Sequence, residues 1–115
     1  MSSSPKMKID KYGDKLWLIN GKLHRENGPA IEFKDGYKAW YINGQLHREY
    51  GPAIEDPLGS SVWYQNGKLH REDGPAVEYC GIGKSWYLDG NKIPYDPETW
   101  DQVVKENKIK DIMKI

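Results

Sequence analysis

One sixteen-residue phrase occurs three times in this chain. Trp17-Leu-Ile-Asn-Gly-Lys-Leu-His-Arg-Glu-Asn-Gly-Pro-Ala-Ile-Glu32 returns as Trp40-Tyr-Ile-Asn-Gly-Gln-Leu-His-Arg-Glu-Tyr-Gly-Pro-Ala-Ile-Glu55 and again as Trp63-Tyr-Gln-Asn-Gly-Lys-Leu-His-Arg-Glu-Asp-Gly-Pro-Ala-Val-Glu78. A fourth copy starts as Trp86-Tyr-Leu-Asp-Gly and breaks off. Trp17, Trp40, Trp63 and Trp86 lie 23 residues apart, so the spacers between copies are equal as well. A fixed period of this length restricts the chain to stacked supersecondary units, each burying its apolar face against the next.

Each copy reads as a hairpin followed by a second bend. In the second copy, Lys38 to Ile42 alternates, with Trp40 and Ile42 on one face and Tyr41 on the other, as in a half-buried strand. Asn43-Gly44 then supplies the two positive-φ residues of a type I′ turn, and Asn20-Gly21, Asn66-Gly67 and Asp89-Gly90 do the same elsewhere. In the bend at Arg48 to Pro52, Gly51 permits a tight path and Pro52 removes a ladder donor. The expected architecture is a mainly β fold: an antiparallel meander or solenoid of 23-residue hairpin units, with roughly eight short strands and a short C-terminal helical cap.

The ends depart from the pattern, as the ends of a repeat array must. Residues 1–6 are expected to be disordered, and 7–95 to form the β-repeat domain, with Met7 to Trp17 giving the first edge strand. Residues 96–115 form the cap. After Asp89-Gly90 the motif gives way to Lys92-Ile93-Pro94-Tyr95, and Asp96-Pro97-Glu98-Thr99 supplies an N-cap, a first-turn proline and an acid for a helix starting near Pro97. Trp100, Val103 and Val104 make one apolar stripe, and Ile109, Ile112 and Met113 another offset from it. This predicts a helix broken at Glu106-Asn107, or two short ones, covering the open end of the last unit.

Composition narrows the class. A chain of 115 residues is one small domain, and its 37% apolar content relies on five Trp and eight Tyr for buried area. The tryptophans are expected in the core. Seventeen basic and seventeen acidic residues cancel, which disfavours general nucleic-acid binding. No apolar run suits a membrane span or a signal peptide, and the single Cys80 cannot close an internal disulfide, so the reading is a cytoplasmic protein.

His24-Arg25-Glu26, His47-Arg48-Glu49 and His70-Arg71-Glu72 are the recurring chemical constellation. Equivalent residues one unit apart, at two strands of about 4.8 Å each, lie about 10 Å from one another, too far to converge on one metal ion. With one Cys and no Ser inside the motif, nucleophilic catalysis is unsupported. We therefore expect no enzyme activity, no metal and no cofactor. In one reading the triplet is structural: each Arg pairs with Glu32, Glu55 or Glu78, and each His packs on a Trp or bonds a turn carbonyl. In the other, His24, Arg25, His47, Arg48, His70 and Arg71 form a ladder of donors for an anionic ligand. Tyr41, Tyr64 and Tyr87 form a second candidate column, either an exposed protein-binding surface or a second buried face.

The 23-residue period, aromatic strand, Asn-Gly hairpin and following glycine resemble MORN-type repeats and those of bacterial antitoxin-like proteins over residues 8 to 95. The chain departs from them by placing Arg-Glu between its His and its Gly-Pro-Ala. The form Trp-Tyr-x-Asn-Gly-x-x-His-Arg-x-x-Gly-Pro-Ala is closer to repeat proteins of tailed bacteriophages and giant viruses. That resemblance implies a small accessory protein that blunts a host defence from the host cytoplasm. The expected function is noncatalytic binding of a protein partner. The alternatives are capture of a small anionic ligand such as a nucleotide signal, and self-assembly into a homo-oligomer.

Overall fold

The Asn-Gly pairs set the local structure first. In the computed structural model, which describes residues 4–114, Asn20, Asn43 and Asn66 lie at φ 51° and Asp89 at 49°. The glycine after each is also positive, which is the type I′ geometry that matches strand twist.

Fourteen strands precede one helix among the described residues. The edge strand β1 (Lys6–Ile9) leads into β2 (Lys15–Ile19) and β3 (Lys22–Leu23), joined by the first Asn-Gly turn, and β4 (Ile31–Glu32) follows the first Gly-Pro-Ala bend. The second copy gives β5 (Lys38–Ala39), β6 (Tyr41–Ile42), β7 (Gln45–Leu46) and β8 (Ile54–Glu55). The third gives β9 (Ser61–Val62), β10 (Tyr64–Gln65), β11 (Lys68–Leu69) and β12 (Val77–Tyr79). β13 (Gly83–Leu88) and β14 (Asn91–Ile93) make the last hairpin, and α1 (Trp100–Met113) follows. The disorder expected over residues 1–6 falls in part outside the described residues, and β1 takes up Lys6.

The strand count exceeds the expected eight because strands break at tryptophan. Trp40 N–H donates to the Ala53 carbonyl at 2.7 Å, while its own carbonyl accepts from His47 N–H at 3.0 Å. Trp63 does the same with Ala76 and His70. At these residues the chain stops pairing in the main sheet and starts pairing within its hairpin. The main sheet runs β1-β2-β4-β5-β8-β9-β12-β13-β14, all antiparallel, and β6-β7 and β10-β11 stand beside it. Gly44 N–H to the Leu23 carbonyl, Gly67 to Leu46 and Gly90 to Leu69, at 2.8 to 2.9 Å, tie each hairpin to the one before. The sheet is open, with β1 at one edge and β14 at the other.

The molecule measures 49 × 40 × 17 Å with a radius of gyration of 16.1 Å, above the roughly 13 Å typical of 100 compact residues. Such a thin slab buries small side chains completely: Ala30, Ala39, Ala53 and Ala76 are inaccessible, and Leu88 is the largest side chain that is fully buried. The four repeating tryptophans, expected in the core, are only half-buried. The apolar cluster lies at the C-terminal end, where Leu88, Trp100 and Val104 pack with Trp86, Ile93 and Val103.

α1 spans from Trp100 rather than Pro97, with a turn capped by Asp96 leading into it. The Asp96 carboxylate accepts from Glu98 N–H at 2.9 Å, and its carbonyl accepts from Trp100 N–H at 2.9 Å. Thr99 takes the N-cap position without a side-chain bond. The helix is unbroken. Asn107, where a break was expected, is pinned by its amide to the Asp89 carboxylate at 2.9 Å, and Ile109, Ile112 and Met113 remain exposed instead of drawing the chain toward a second packing surface. Among the described residues no helix is long and apolar enough to cross a membrane.

Candidate binding face

Arginine, not histidine, covers tryptophan. The Arg25, Arg48 and Arg71 guanidinium carbons lie 3.8, 3.8 and 3.9 Å from the ring centroids of Trp17, Trp40 and Trp63, a cation–π arrangement. Each Nη1 donates to the carbonyl of the following proline, Pro29, Pro52 or Pro75, at 3.1 Å. Each also meets the strand carboxylate that the sequence suggested: Glu32 at 3.5 Å, Glu55 at 2.8 Å and Glu78 at 3.5 Å. Arg71 adds Asp73 through Nε at 2.9 Å.

The glycine of Gly-Pro-Ala completes the clamp. Gly28, Gly51 and Gly74 are absent from the positive-φ residues, so conformation does not demand them. Space does: a Cβ at Gly51 would sit 2.8 Å from the Arg48 guanidinium carbon, and one at Gly74 2.7 Å from that of Arg71. Each guanidinium is held between an indole face and a glycine backbone.

The histidines join consecutive units. Nδ1 of His24, His47 and His70 accepts the backbone N–H of Asn43, Asn66 and Asp89 at 2.9, 3.0 and 3.0 Å, the first residue of the next turn. An accepting Nδ1 places the neutral ring's proton on Nε2, which faces Glu26 at 3.5 Å, Glu49 at 2.8 Å and Glu72 at 3.6 Å. The expected packing of His on Trp is therefore replaced by Arg on Trp, and the turn group that His binds is an amide, not a carbonyl. Among the described residues no three His, Cys, Asp or Glu side chains converge as metal ligands.

Tyr41, Tyr64 and Tyr87 share the opposite face and are half-buried. Burial, then the neighbouring Tyr79, Tyr41 and Tyr87, raises the Tyr64 phenol above its ordinary value. Burial, then Tyr41, Asp56 and Tyr64, does the same for Tyr37. Tyr37, Tyr41, Tyr64, Tyr79 and Tyr87 thus lie close enough to influence one another electrostatically.

The Trp and His face is grooved between units. One groove of about 650 Å³ is lined by Glu26, Asn27, Trp40, Ile42, His47 and Tyr50. The next, of about 570 Å³, is lined by Tyr50, Trp63, Gln65, His70, Glu72 and Asp73. A smaller one at the N-terminal end lies between Ser4, Pro5, Trp17, Ile19 and His24. Tyr50 stands on the ridge between the two larger grooves, 95% exposed. Sequence reading passed it over. Its signal was a difference between copies, since Tyr50 occupies the position of Asn27 and Asp73.

The fourth unit fills its own groove. Ile93, Pro94 and Tyr95 stand where the other copies have His, Arg and Glu, and Tyr95 stacks on Trp86 at 4.2 Å and 9° in place of the arginine. Trp100 lies against Tyr95 at 5.8 Å and donates its indole N–H to the Glu72 carbonyl at 2.6 Å. Lys108 reaches the Glu72 carboxylate at 3.5 Å.

No protein family, curated protein or solved structure matches the chain.

Proposed function

We propose that this is a noncatalytic protein-binding module, a solenoid of MORN-like hairpin units that recognises a partner protein through its grooved face. The observation that carries the reading is Tyr50, an almost fully exposed aromatic between two open grooves. Tyr offers large area, a polar tip and little rotamer entropy to lose, which is why it is enriched at interface centres. The grooves on either side give such an anchor concave, partly apolar surroundings. The arginines support this reading over capture of an anion: each guanidinium already holds an indole, a proline carbonyl and a carboxylate, and a nucleotide would have to displace them. The resemblance to phage and giant-virus repeat proteins supports a host protein, and among host proteins a defence component, as the partner class.

The test is affinity capture from host-type lysate with wild-type and Tyr50→Ala protein, followed by mass spectrometry of proteins and released small molecules. The expected result is a partner retained by the wild type and lost with Tyr50→Ala, while melting is unchanged because the side chain is exposed. Retention by Tyr50→Ala but loss with Tyr41→Ser plus Tyr64→Ser would move the interface to the tyrosine column. Release of a nucleotide with no protein would support the anion reading.

A further inference from the structure

The protein displays one of its own grooves in occupied form. Adding 23 to eight of the ten residues lining the groove at Trp40 gives those of the groove at Trp63, and adding 23 again reaches, among others, Glu72, Trp86, Leu88 and Ile93. That last position holds α1. Its occupant is an aromatic anchor in the first helical turn, Trp100, with Val104 one turn on against Leu88 and Lys108 two turns on against Glu72.

The features that receive α1 recur in the open grooves. The Glu72 carbonyl accepts the indole N–H, and its counterparts, the Glu26 and Glu49 carbonyls, meet no donor among the described residues. In the groove at Trp40, Ile42 stands where Leu88 forms the apolar floor, while in the groove at Trp63 that position is Gln65, and Asn43 and Asn66 stand where Asp89 receives Asn107. Two strands per unit separate neighbouring grooves by about 10 Å, close to the 8–10 Å at which packed helices lie. A helix in the groove at Trp63 would therefore touch α1 on one side, where Ile112 is exposed one turn beyond Lys108, and Tyr50 on the other. Glu49, Glu72 and Asp73 outnumber Arg71 along the groove at Trp63, while in the groove at Trp40 Glu26 and Glu49 stand beside Arg25 and Arg48, whose guanidinium groups are already committed to their own tryptophans and carboxylates.

We propose that the grooves at Trp40 and Trp63 each seat an amphipathic helix of the partner protein, anchored by an indole in its first turn and carrying a basic side chain two turns later, as α1 does in the fourth groove. This rests on the protein-binding reading above and specifies the chemistry of the partner.

The probe is a peptide of residues 96–114 of this chain, stapled across the exposed positions of Gln102 and Glu106 and titrated into the isotopically labelled full-length protein by NMR. The expected result is shifts at Tyr50, Gln65 and His70 with Leu88 and Ile93 unmoved, and roughly tenfold or greater weakening when the peptide carries Trp100→Ala. An absence of shifts, or shifts confined to Leu88 and Ile93, overturns the proposal, the second pattern meaning that the peptide displaces α1 by exchange. Capture of a Tyr50-dependent partner while the peptide binds nowhere overturns the helix assignment and leaves the protein-binding reading standing. A peptide seated in the open grooves with no Tyr50-dependent capture supports the helix assignment and overturns the Tyr50-centred reading.

Discussion

At the scale of single residues, the repeated His-Arg-Glu is a set of clamps whose parts depend on each other. Removing Arg48 forfeits a cation–π contact, a bond to the Pro52 carbonyl and the pair with Glu55, so Arg48→Ala is expected to cost about 2–3 kcal/mol. Gly51→Ala should cost about 1–3 kcal/mol by crowding the guanidinium. The two losses share one cause, so in urea titrations the double variant should be more stable than their sum predicts; additive losses would show that the glycine acts through the backbone alone. The Arg–Glu pairing was legible in the sequence because the spacing from Arg48 to Glu55 recurs in every copy. The partner of the histidine was not, since His24 and Asn43 are 19 residues apart and meet only when one hairpin lies on the next.

At the scale of elements, two groups of titrating side chains bind packing to pH. The Tyr37 and Tyr64 phenols are raised above their ordinary 10.0, by burial first and neighbouring tyrosines second. A raised acid is favoured in its neutral form by the fold, so this contribution is complete below pH 10 and is lost as pH rises through the folded values. Melting temperature should fall above pH 10, and Tyr64→Phe should flatten that fall. At the helix, burial alone would raise Asp89, but hydrogen bonds with Asn107 and Asp111 and the charges of His70 and Lys68 outweigh it and hold the carboxyl below its usual range. Its contribution is present at neutral pH and disappears as pH drops below about 4. Asp111 moves the opposite way, raised first by its hydrogen bond with Asp89, so its charge opposes docking at pH 7. Asp111→Asn should stabilise the protein at pH 7, with a gain that shrinks toward pH 3 in urea titrations. A helix after Asp96-Pro97 was legible. Its starting residue and continuity were not: the start is set by the turn at Asp96 to Thr99, and continuity through Asn107 depends on Asp89, which only folding brings beside it.

At the scale of the molecule, a slab 17 Å thick has no broad interior, and its open edges become the hazard that a thicker core would avoid. β1 is exposed along its whole length and carries Lys6 and Lys8 beside the half-exposed Met7 and exposed Ile9. Charges on an edge strand discourage pairing with another chain. Lys6→Val with Lys8→Val should therefore produce a mass that rises with concentration in sedimentation velocity; an unchanged mass would show that the edge is protected by other means. By itself, the sequence determined the unit: turn type, strand direction, the 23-residue step and the termination of the array at Ile93-Pro94-Tyr95. These follow from short-range stereochemistry, because Asn-Gly at positive φ and alternating side chains specify a hairpin wherever they occur. The tertiary structure decided what the repeated side chains face. Within a copy, only the bend at Gly-Pro-Ala brings arginine back onto its own tryptophan, and only stacking puts histidine on the following turn, Trp100 in the fourth groove and Tyr50 on an open ridge, since these last depend on the distance between neighbouring hairpins, which no single copy of the phrase encodes.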